Sequence, residues 1–559
     1  MGLTRRDFLT LGIGAAAAVP LTPIPWKLLD DTAKWSQNWS WIPRPPRGER
    51  SVRYGTCTLC PAGCGIQARC VGKNLIGIAP VAAHPVSHGA LCPYAFGAHQ
   101  LPYHPARITQ PLRHGNPASL DTVVAEIAAR AKAGAFAILD ERPGRAVSAA
   151  YQRLAAAHGG LYLVADHTET TTLQHFADGS GRNLADLGLA LENVRTLVSF
   201  GAPVLESWAT PGRVFALWKS GQLEIVQVEA ELSKSAALAS QWLPARAGSE
   251  TYLASLLAGA IGIAEAAERT GVRSDKLAGA MRFIHDRGPW LAVSGGGFPL
   301  AVEQSIAGLN AGSGAIVARA ASSAAGARLA RVPDASAGAR LSTVPDASVD
   351  ARLSHVPDAS VDVLFIDHGL LGGSVSFDSL RSKVRRGGIV VSLSPYRAGV
   401  AALANFVIPT PAFAESLDEA PTPWDAVSPS YALAPALLDP PAGATTALDF
   451  INRVTGGGLA PEAAIRAKVG SLFAARRGEV FTFADRATRP VTEFKSAPDL
   501  FKAFSTGACW IDRDAKTVAV NYRPVSAGPE ARVVAPTRGT AISPPLFTKL
   551  DQESRIGRA

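Results

Sequence analysis

Aromatic residues are sparse in this chain (7%), charged residues are few (18%), and no run of five or more basic residues occurs. That last absence decides how to read the net charge of +9, which alone would suggest nucleic acid. Scattered arginines without a Lys/Arg stripe do not build a phosphate-tracking surface, so no nucleic-acid partner is expected. A basic face turned toward an anionic membrane leaflet or an acidic redox partner is the better use of the charge. After the first residues, no stretch reaches the roughly 18 apolar residues needed to span a bilayer, which predicts a soluble body. A hydrolase elbow, a P-loop and a zincin motif are also missing, so those reaction classes have no support. Cysteine is scarce too, six in 559 residues, but it is not scattered. With 47% apolar residues, the length allows several domains and a large buried core.

Arg5 and Arg6 stand ahead of a short, mild apolar run from Phe8 to Leu21. An arginine pair before such a run is the address of the Tat export route, and the run is too short and too rich in Gly and Ala for a membrane span. A chance basic N-terminus is the alternative. Tat export of a folded protein suits a chain that must receive a cofactor first. The expected location is therefore the periplasmic side of the cytoplasmic membrane. No clean A-x-A site precedes Pro20, so residues 1–27 are either cleaved or kept as an anchor. Residues 28–50 form a Trp/Pro-rich arm. Trp26, Trp35, Trp39 and Trp41 suit a hydrophobic strap that also meets a partner.

Cys57, Cys60, Cys64 and Cys92 read C-x2-C-x3-C-x27-C. A c-type haem needs His directly after a C-x-x-C pair, but Pro61 follows Cys60. Structural zinc favours two separated ligand pairs, whereas three thiols crowd here into eight residues. Disulfides suit an exported protein, yet cysteines this close pair poorly with one another. A cubane cluster needs four converging thiolates, and a tight loop of three plus one distant ligand supplies them. An iron–sulfur cluster is the better fit, with disulfides and zinc as the alternatives. The Gly and Pro residues around the loop predict backbone amides turned toward the sulfurs. Cys70 and Cys509 lack comparable partners and read as packed thiols. His84, His88, His99 and His104 lie near the motif in sequence; one could tune the cluster, but structural roles suit them better.

Downstream, helical spacing over 119–134 alternates with compact apolar runs such as "AFAILD", "TLVSF", "EIVQV", "VDVLFID" and "GGIVVSL". That alternation predicts α/β domains with doubly wound parallel sheets. Residues 327–362 repeat with a period of twelve, too short for a solenoid unit, and predict a surface loop without chemistry whose last copy leads into a strand at 361–366.

The stretch from Val52 to Gly115 resembles the N-terminal iron–sulfur domain of the molybdopterin oxidoreductase family. It shares the cysteine spacing, then His84-Pro85 and Leu91-Cys92, then the Tyr103 to Leu112 segment. Segments 194–208, 224–250, 361–373 and 404–415 resemble later landmarks of the same family, so the likeness spans about 50–450. It implies a small 4Fe-4S domain over 51–115 on Cys57, Cys60, Cys64 and Cys92. Molybdopterin-oxidoreductase-type α/β domains over 116–326 would then continue over 363–456.

Departures from the family carry the functional reading. The region expected to supply a molybdenum ligand, 164–181, contains no cysteine, and nothing marks Asp178 or Ser180 for that role. Glu229-Ala230-Glu231 stands where members carry Asp-Pro-Arg, and Arg246-Ala247-Gly248-Ser249-Glu250 where they carry Arg-Pro-Gly-Thr-Asp. Gly201, Glu229, Arg246 and Gly248 are thus remnants of an eroded pterin-nucleotide region, which puts molybdopterin guanine dinucleotide in question. No Lys or Arg follows the fourth cysteine closely, and an irregular extension over 457–559 stands in place of the C-terminal β-barrel. These traits resemble the molybdenum-free branch found in quinone-reactive membrane complexes, the menaquinone reductase complex and alternative complex III. The resemblance implies an exported electron-transfer subunit with one 4Fe-4S cluster. Its partners would be a ferredoxin-like iron–sulfur subunit, an integral membrane quinone-binding subunit and, in some complexes, a multihaem cytochrome c. The alternatives are a genuine molybdenum or tungsten bis-pterin oxidoreductase, of formate dehydrogenase or polysulfide/thiosulfate reductase type, and an architectural protein with a redox-silent cluster.

Overall fold

Apolar runs bounded by Gly, Pro and polar turns become buried parallel strands, and two such sheets carry the body of the chain. The structure, a computed structural model, describes residues 4–18, 26–31, 48–165, 168–319, 351–353, 356–368, 375–520 and 522. With strands numbered along the chain, the larger sheet contains Leu112–Arg113 (β4), Asn116–Pro117 (β5), Phe136–Asp140 (β6), Leu161–Val164 (β7), Ala351–Arg352 (β14), Val361–Asp367 (β15), Val384–Ser394 (β16) and Phe406–Pro409 (β17). Their order is β14-β7-β6-β15-β16-β17-β4-β5. The strands run parallel through β17, with Val363 opposite both Phe136 and Ile389, and β4 and β5 close the edge antiparallel.

Both faces of this sheet are covered, which is why β6 and β15 read as unbroken apolar runs rather than alternating ones. Ile138, Phe365 and Val391 pack under helices Leu120–Ala133, Ala146–Ala157 and Ala447–Thr455, while Leu139, Leu364 and Val390 face Leu380 and Ala401. The helix Leu120–Ala133 begins where the Ser119 hydroxyl accepts the Thr122 amide, and its last turn carries Arg130 and Lys132.

The smaller sheet holds Thr196–Phe200 (β9), Glu224–Val228 (β10), Gln241–Leu243 (β11) and Trp290–Ser294 (β12), all parallel, in order β11-β10-β9-β12. In each sheet the chain reverses its winding once, between β6 and β15 and between β9 and β12. Crevices at the carboxyl ends of such switch points are where doubly wound sheets take ligands. The expected continuous block 116–326 is in fact divided. The larger sheet draws strands from both sides of the smaller one, because alternation along a sequence does not reveal which strands pair.

Three further sheets complete the described fold. Arg50–Thr56 (β1), Gly65–Val71 (β2) and Asn74–Pro80 (β3) form one, in chain order. Leu187–Leu189 (β8), Ile316–Arg319 (β13) and Thr517–Ala519 (β23) form a second, in order β23-β13-β8. The last corrects an expectation: the segment 457–559, predicted to be irregular, is ordered helix and strand as far as Ala519. Asp418–Ala420 (β18), Ser430–Ala434 (β19), Glu479–Thr482 (β20), Thr488–Pro490 (β21) and Ala508–Ile511 (β22) make an open antiparallel sheet in order β18-β19-β22-β20-β21. Helices Pro461–Ala475 and Ala497–Ser505 cover it through Ile465, Val469, Leu500 and Phe504. Strands of three to five residues carry almost no periodic signal, and this sheet inserts β22 between β19 and β20, so only tertiary pairing reveals it.

Helix Arg5–Ala18 has no buried side chain, and Trp26 is exposed. No helix among the described residues is long and apolar enough to cross a membrane. Trp35, Trp39, Trp41 and most of the repeat 327–362 lie outside the described residues. The last repeat copy does lead into β15 at Val361.

Candidate metal centre

The loop between β1 and β2 is the cysteine motif. Its ends are tied by the Cys57 amide, which donates to the Cys64 carbonyl at 2.7 Å. Between them Gly63 sits at φ +62, a conformation that favours glycine, and a side chain there would crowd Ala420 of β18. Gly65 is required for a different reason: a Cβ at that position would collide with the His84 ring. Cys92, the distant ligand, arrives at the N-terminus of the short helix Pro93–Gly97. Cys57 and Cys64 are buried, whereas Cys60 and Cys92 are half-buried.

All four cysteines line one cleft of about 490 Å³, a volume that includes open solvent, together with Tyr94 and with Glu169, Ser207 and Pro211 from the α/β body. Hydrogen-bond donors face the sulfurs: backbone amides of Leu59 toward Cys57, of Ala62 toward Cys60, of Tyr94 and Ala95 toward Cys92, and the Ser87 hydroxyl toward Cys64. Burial and then mutual repulsion push the Cys57 thiol up to about 12, and raise Cys60 and Cys64 well above the ordinary thiol range. Burial raises Cys92 as well. Four thiolates can coexist here only around a positively charged core, which is the chemistry that an iron–sulfur cubane supplies.

The donor set discriminates among metals. No group of three His, Cys, Asp or Glu among the described residues is placed to hold a single ion, and all six cysteines are unbonded to one another. Four thiols gathered on one cleft suit a cubane, which takes one thiolate per iron. Cys70 and Cys509 are buried elsewhere, outside that cleft.

The nearby histidines are spent on structure. His84 is fully buried, its Nδ1 accepts the Val86 and Ser87 amides at 3.4 and 3.2 Å, and Phe481 and Phe483 meet its ring edge to face. His88 faces Glu192 at 3.6 Å, His99 bonds the Phe96 carbonyl at 2.9 Å, and the His104 Nδ1 accepts the Ala106 amide at 3.0 Å.

Two charged residues beside the cleft escaped sequence reasoning. Glu169 stands in the region where a molybdenum ligand was sought, and burial, helped by Asp425, pushes its carboxyl up to about 8. Arg142 follows β6 and reaches the loop from the larger sheet. Its Nη1 donates to the Thr58 carbonyl at 3.0 Å, and its fork clasps the Asp418 carboxylate at 2.6 and 2.8 Å. Neither residue belongs to a spaced motif, so no local signal could have found it.

The expected pterin-nucleotide residues are only partly gathered. Gly201 ends β9 at φ +67, closely approached by Gly295 after β12, and Glu229 ends β10, where it accepts the Gln227 amide at 2.9 Å and the Ser233 amide at 3.2 Å. Both therefore lie at the carboxyl edge of the smaller sheet. Arg246 and Gly248 are exposed on the loop after β11, and the Arg246 guanidinium turns to the Glu268 carbonyl at 3.4 Å. Glu206 approaches the Ser235 amide at 3.3 Å in the same region, and Glu303, pushed up to about 7 by burial, accepts the Phe298 amide after β12. Glu206, Glu229 and Glu303 therefore all stand near the carboxyl edge of this sheet. Asp178 and Ser180 bond within helix Thr171–Ser180, to Gln174 and the Ala177 carbonyl.

Comparisons with known proteins agree with this geometry. Residues 51–101 match the molybdopterin oxidoreductase Fe4S4 domain. Over 287 residues, 45% of this chain, the sequence is 29% identical to the menaquinone reductase, molybdopterin-binding-like subunit of Nitratidesulfovibrio vulgaris, and the match spans 39% of that protein's length. Acetylene hydratase from Pelobacter acetylenicus superposes with a TM-score of 0.52 at 14% identity, covering 82% of this chain and 74% of the hydratase, which shows a shared fold.

Proposed function

We propose that this chain, similar to the molybdopterin oxidoreductases in its cluster domain and fold, is an electron-transfer subunit of a quinone-linked respiratory complex rather than a molybdenum catalyst. The observation that carries the reading is the convergence of Cys57, Cys60, Cys64 and Cys92 on one cleft. When bound, a 4Fe-4S cluster supplies a one-electron redox centre there. The chain's own residues hold it: the four thiolates bind, the loop amides and Ser87 orient and stabilise the sulfurs, and Leu59 and Ala62 keep the buried side dry.

The acidic edge supports a chain that keeps the fold without molybdopterin guanine dinucleotide or a metal bound by it. The likeness to a subunit of menaquinone reductase supports assembly with other subunits; a ferredoxin-like subunit, an integral membrane quinone-binding subunit and, in some complexes, a multihaem cytochrome c fit the electron path. The arginine pair Arg5 and Arg6 supports export to the periplasmic side, with the N-terminal segment either removed or kept as an anchor.

Metal analysis with EPR of the dithionite-reduced protein tests this reading. About four irons per chain without molybdenum or tungsten is the expected result. Stoichiometric molybdenum or tungsten would instead make the chain a bis-pterin oxidoreductase.

A further inference from the structure

We propose that Arg142 sets the reduction potential of the cluster on Cys57, Cys60, Cys64 and Cys92, with Asp418 as the counter-charge that limits its effect. The proposal rests on the cluster reading above and deepens it, assigning a charged positioning residue to that centre.

Three features single out Arg142. Its guanidinium is in contact with the cluster loop, at 3.0 Å from the carbonyl of Thr58, the residue after Cys57. Its orientation is fixed, because two near-parallel bonds to Asp418 on β18 hold the fork while its own amide donates to Asp140 at 2.8 Å. The side chain is only 11% exposed, so solvent screens its field weakly.

Glu169, the other titratable group lining the cleft, has its carboxyl pushed up to about 8 by burial and so carries little charge near neutral pH. Asp425, which faces Cys64, pairs with Arg213 at 3.2 Å and accepts the Thr210 hydroxyl at 2.8 Å. Burial holds His84 neutral, with its pKa lowered to about 3.

Reduction adds one electron to the cluster and makes it, with its thiolates, one unit more negative. A fixed cation beside Cys57 favours that state and raises the potential; a carboxylate clasped to the cation reduces the gain. The two partners therefore act with opposite sign, which a merely structural tie between loop and strand would not do.

The test is an EPR-monitored redox titration of the full-length protein carrying its cluster, with dithionite as the one-electron donor and iron counted in every sample. Arg142→Gln should shift the midpoint to more negative values and Asp418→Asn to more positive ones, while Arg142→Lys stays near wild type. The proposal is overturned if the two charge-removing variants leave the midpoint in place or move it in the same direction. Should Arg142→Gln fail to hold iron, Asp418→Asn decides the question alone: a midpoint that stays in place or moves negative overturns the proposal. A wild-type protein without iron would refute the cluster reading instead, a result separate from any shift in potential.

Discussion

One added methyl group is enough to test how tightly the loop around Cys64 is built. Gly65 faces the ring of His84, which is fully buried and held by two backbone amides and two phenylalanine rings. Gly65→Ala should cost about 1–3 kcal/mol by overpacking and lower iron occupancy with it, measured by thermal unfolding and iron assay on the same samples. Cys60→Ser, which removes a half-buried thiolate from the cleft, should bleach the cluster absorbance while leaving the far-UV circular dichroism unchanged. His84 also sets a pH dependence. Burial lowers its pKa to about 3, against 6.5 for a free imidazole. Between those values the unfolded chain binds a proton that the folded chain refuses, so stability falls as pH drops through that window, by about 1.4 kcal/mol per unit. In His84→Gln that share of the slope should vanish from denaturation curves taken between pH 6.5 and 4.

At the scale of elements, the carboxyl end of the larger sheet is stitched together by charge. Asp140 ends β6 and Asp367 ends β15, on the two sides of the winding reversal, and Arg145 bridges them at 2.8 and 2.7 Å from a nearly buried position. Tyr151 adds a hydroxyl to Asp367 at 2.9 Å and Tyr162 one to Asp140 at 3.0 Å. The crevice in which an open α/β sheet would receive a ligand is thus crossed by the protein's own side chains. Arg145→Met leaves two buried carboxylates without their cation and should destabilise by about 3–5 kcal/mol. Adding Asp367→Asn should recover part of that loss in chemical denaturation, since it removes one of the stranded charges.

For the whole molecule, the five-stranded sheet matters because it backs the metal centre. Phe481, Phe483 and Cys509 pack with Val81 and Val86 behind the cysteine loop, and β18 supplies both Ala420 against Gly63 and Asp418 for Arg142. A chain truncated after Gly456 would be harmless if residues beyond it were irregular. Given the observed packing, truncation should abolish iron binding and shift most of the protein into aggregates on size-exclusion chromatography. The acidic carboxyl edge of the smaller sheet carries a further expectation at this scale: acid extracts of the purified protein should contain no guanine nucleotide, checked by chromatography against a standard.

By itself the sequence determined the pieces that depend on short-range spacing. Three thiols within eight residues can only share a loop, so Cys57, Cys60 and Cys64 were legible as most of a ligand set, with Cys92 as the distant fourth thiolate a cubane needs. Runs such as "AFAILD" and "VDVLFID" were legible as buried strands because burial on both faces removes the polar alternation. Tertiary structure alone decided the rest. Strands β6 and β15 became neighbours across more than two hundred residues of intervening chain. The short strands of the five-stranded sheet gained stability only from pairing with each other. Glu169 reached the cleft, and Arg142 with Asp418 reached the cysteine loop, from three separate segments. Charge acts through space rather than along the chain, so a residue that tunes a metal centre leaves no mark in the spacing of the residues that bind it.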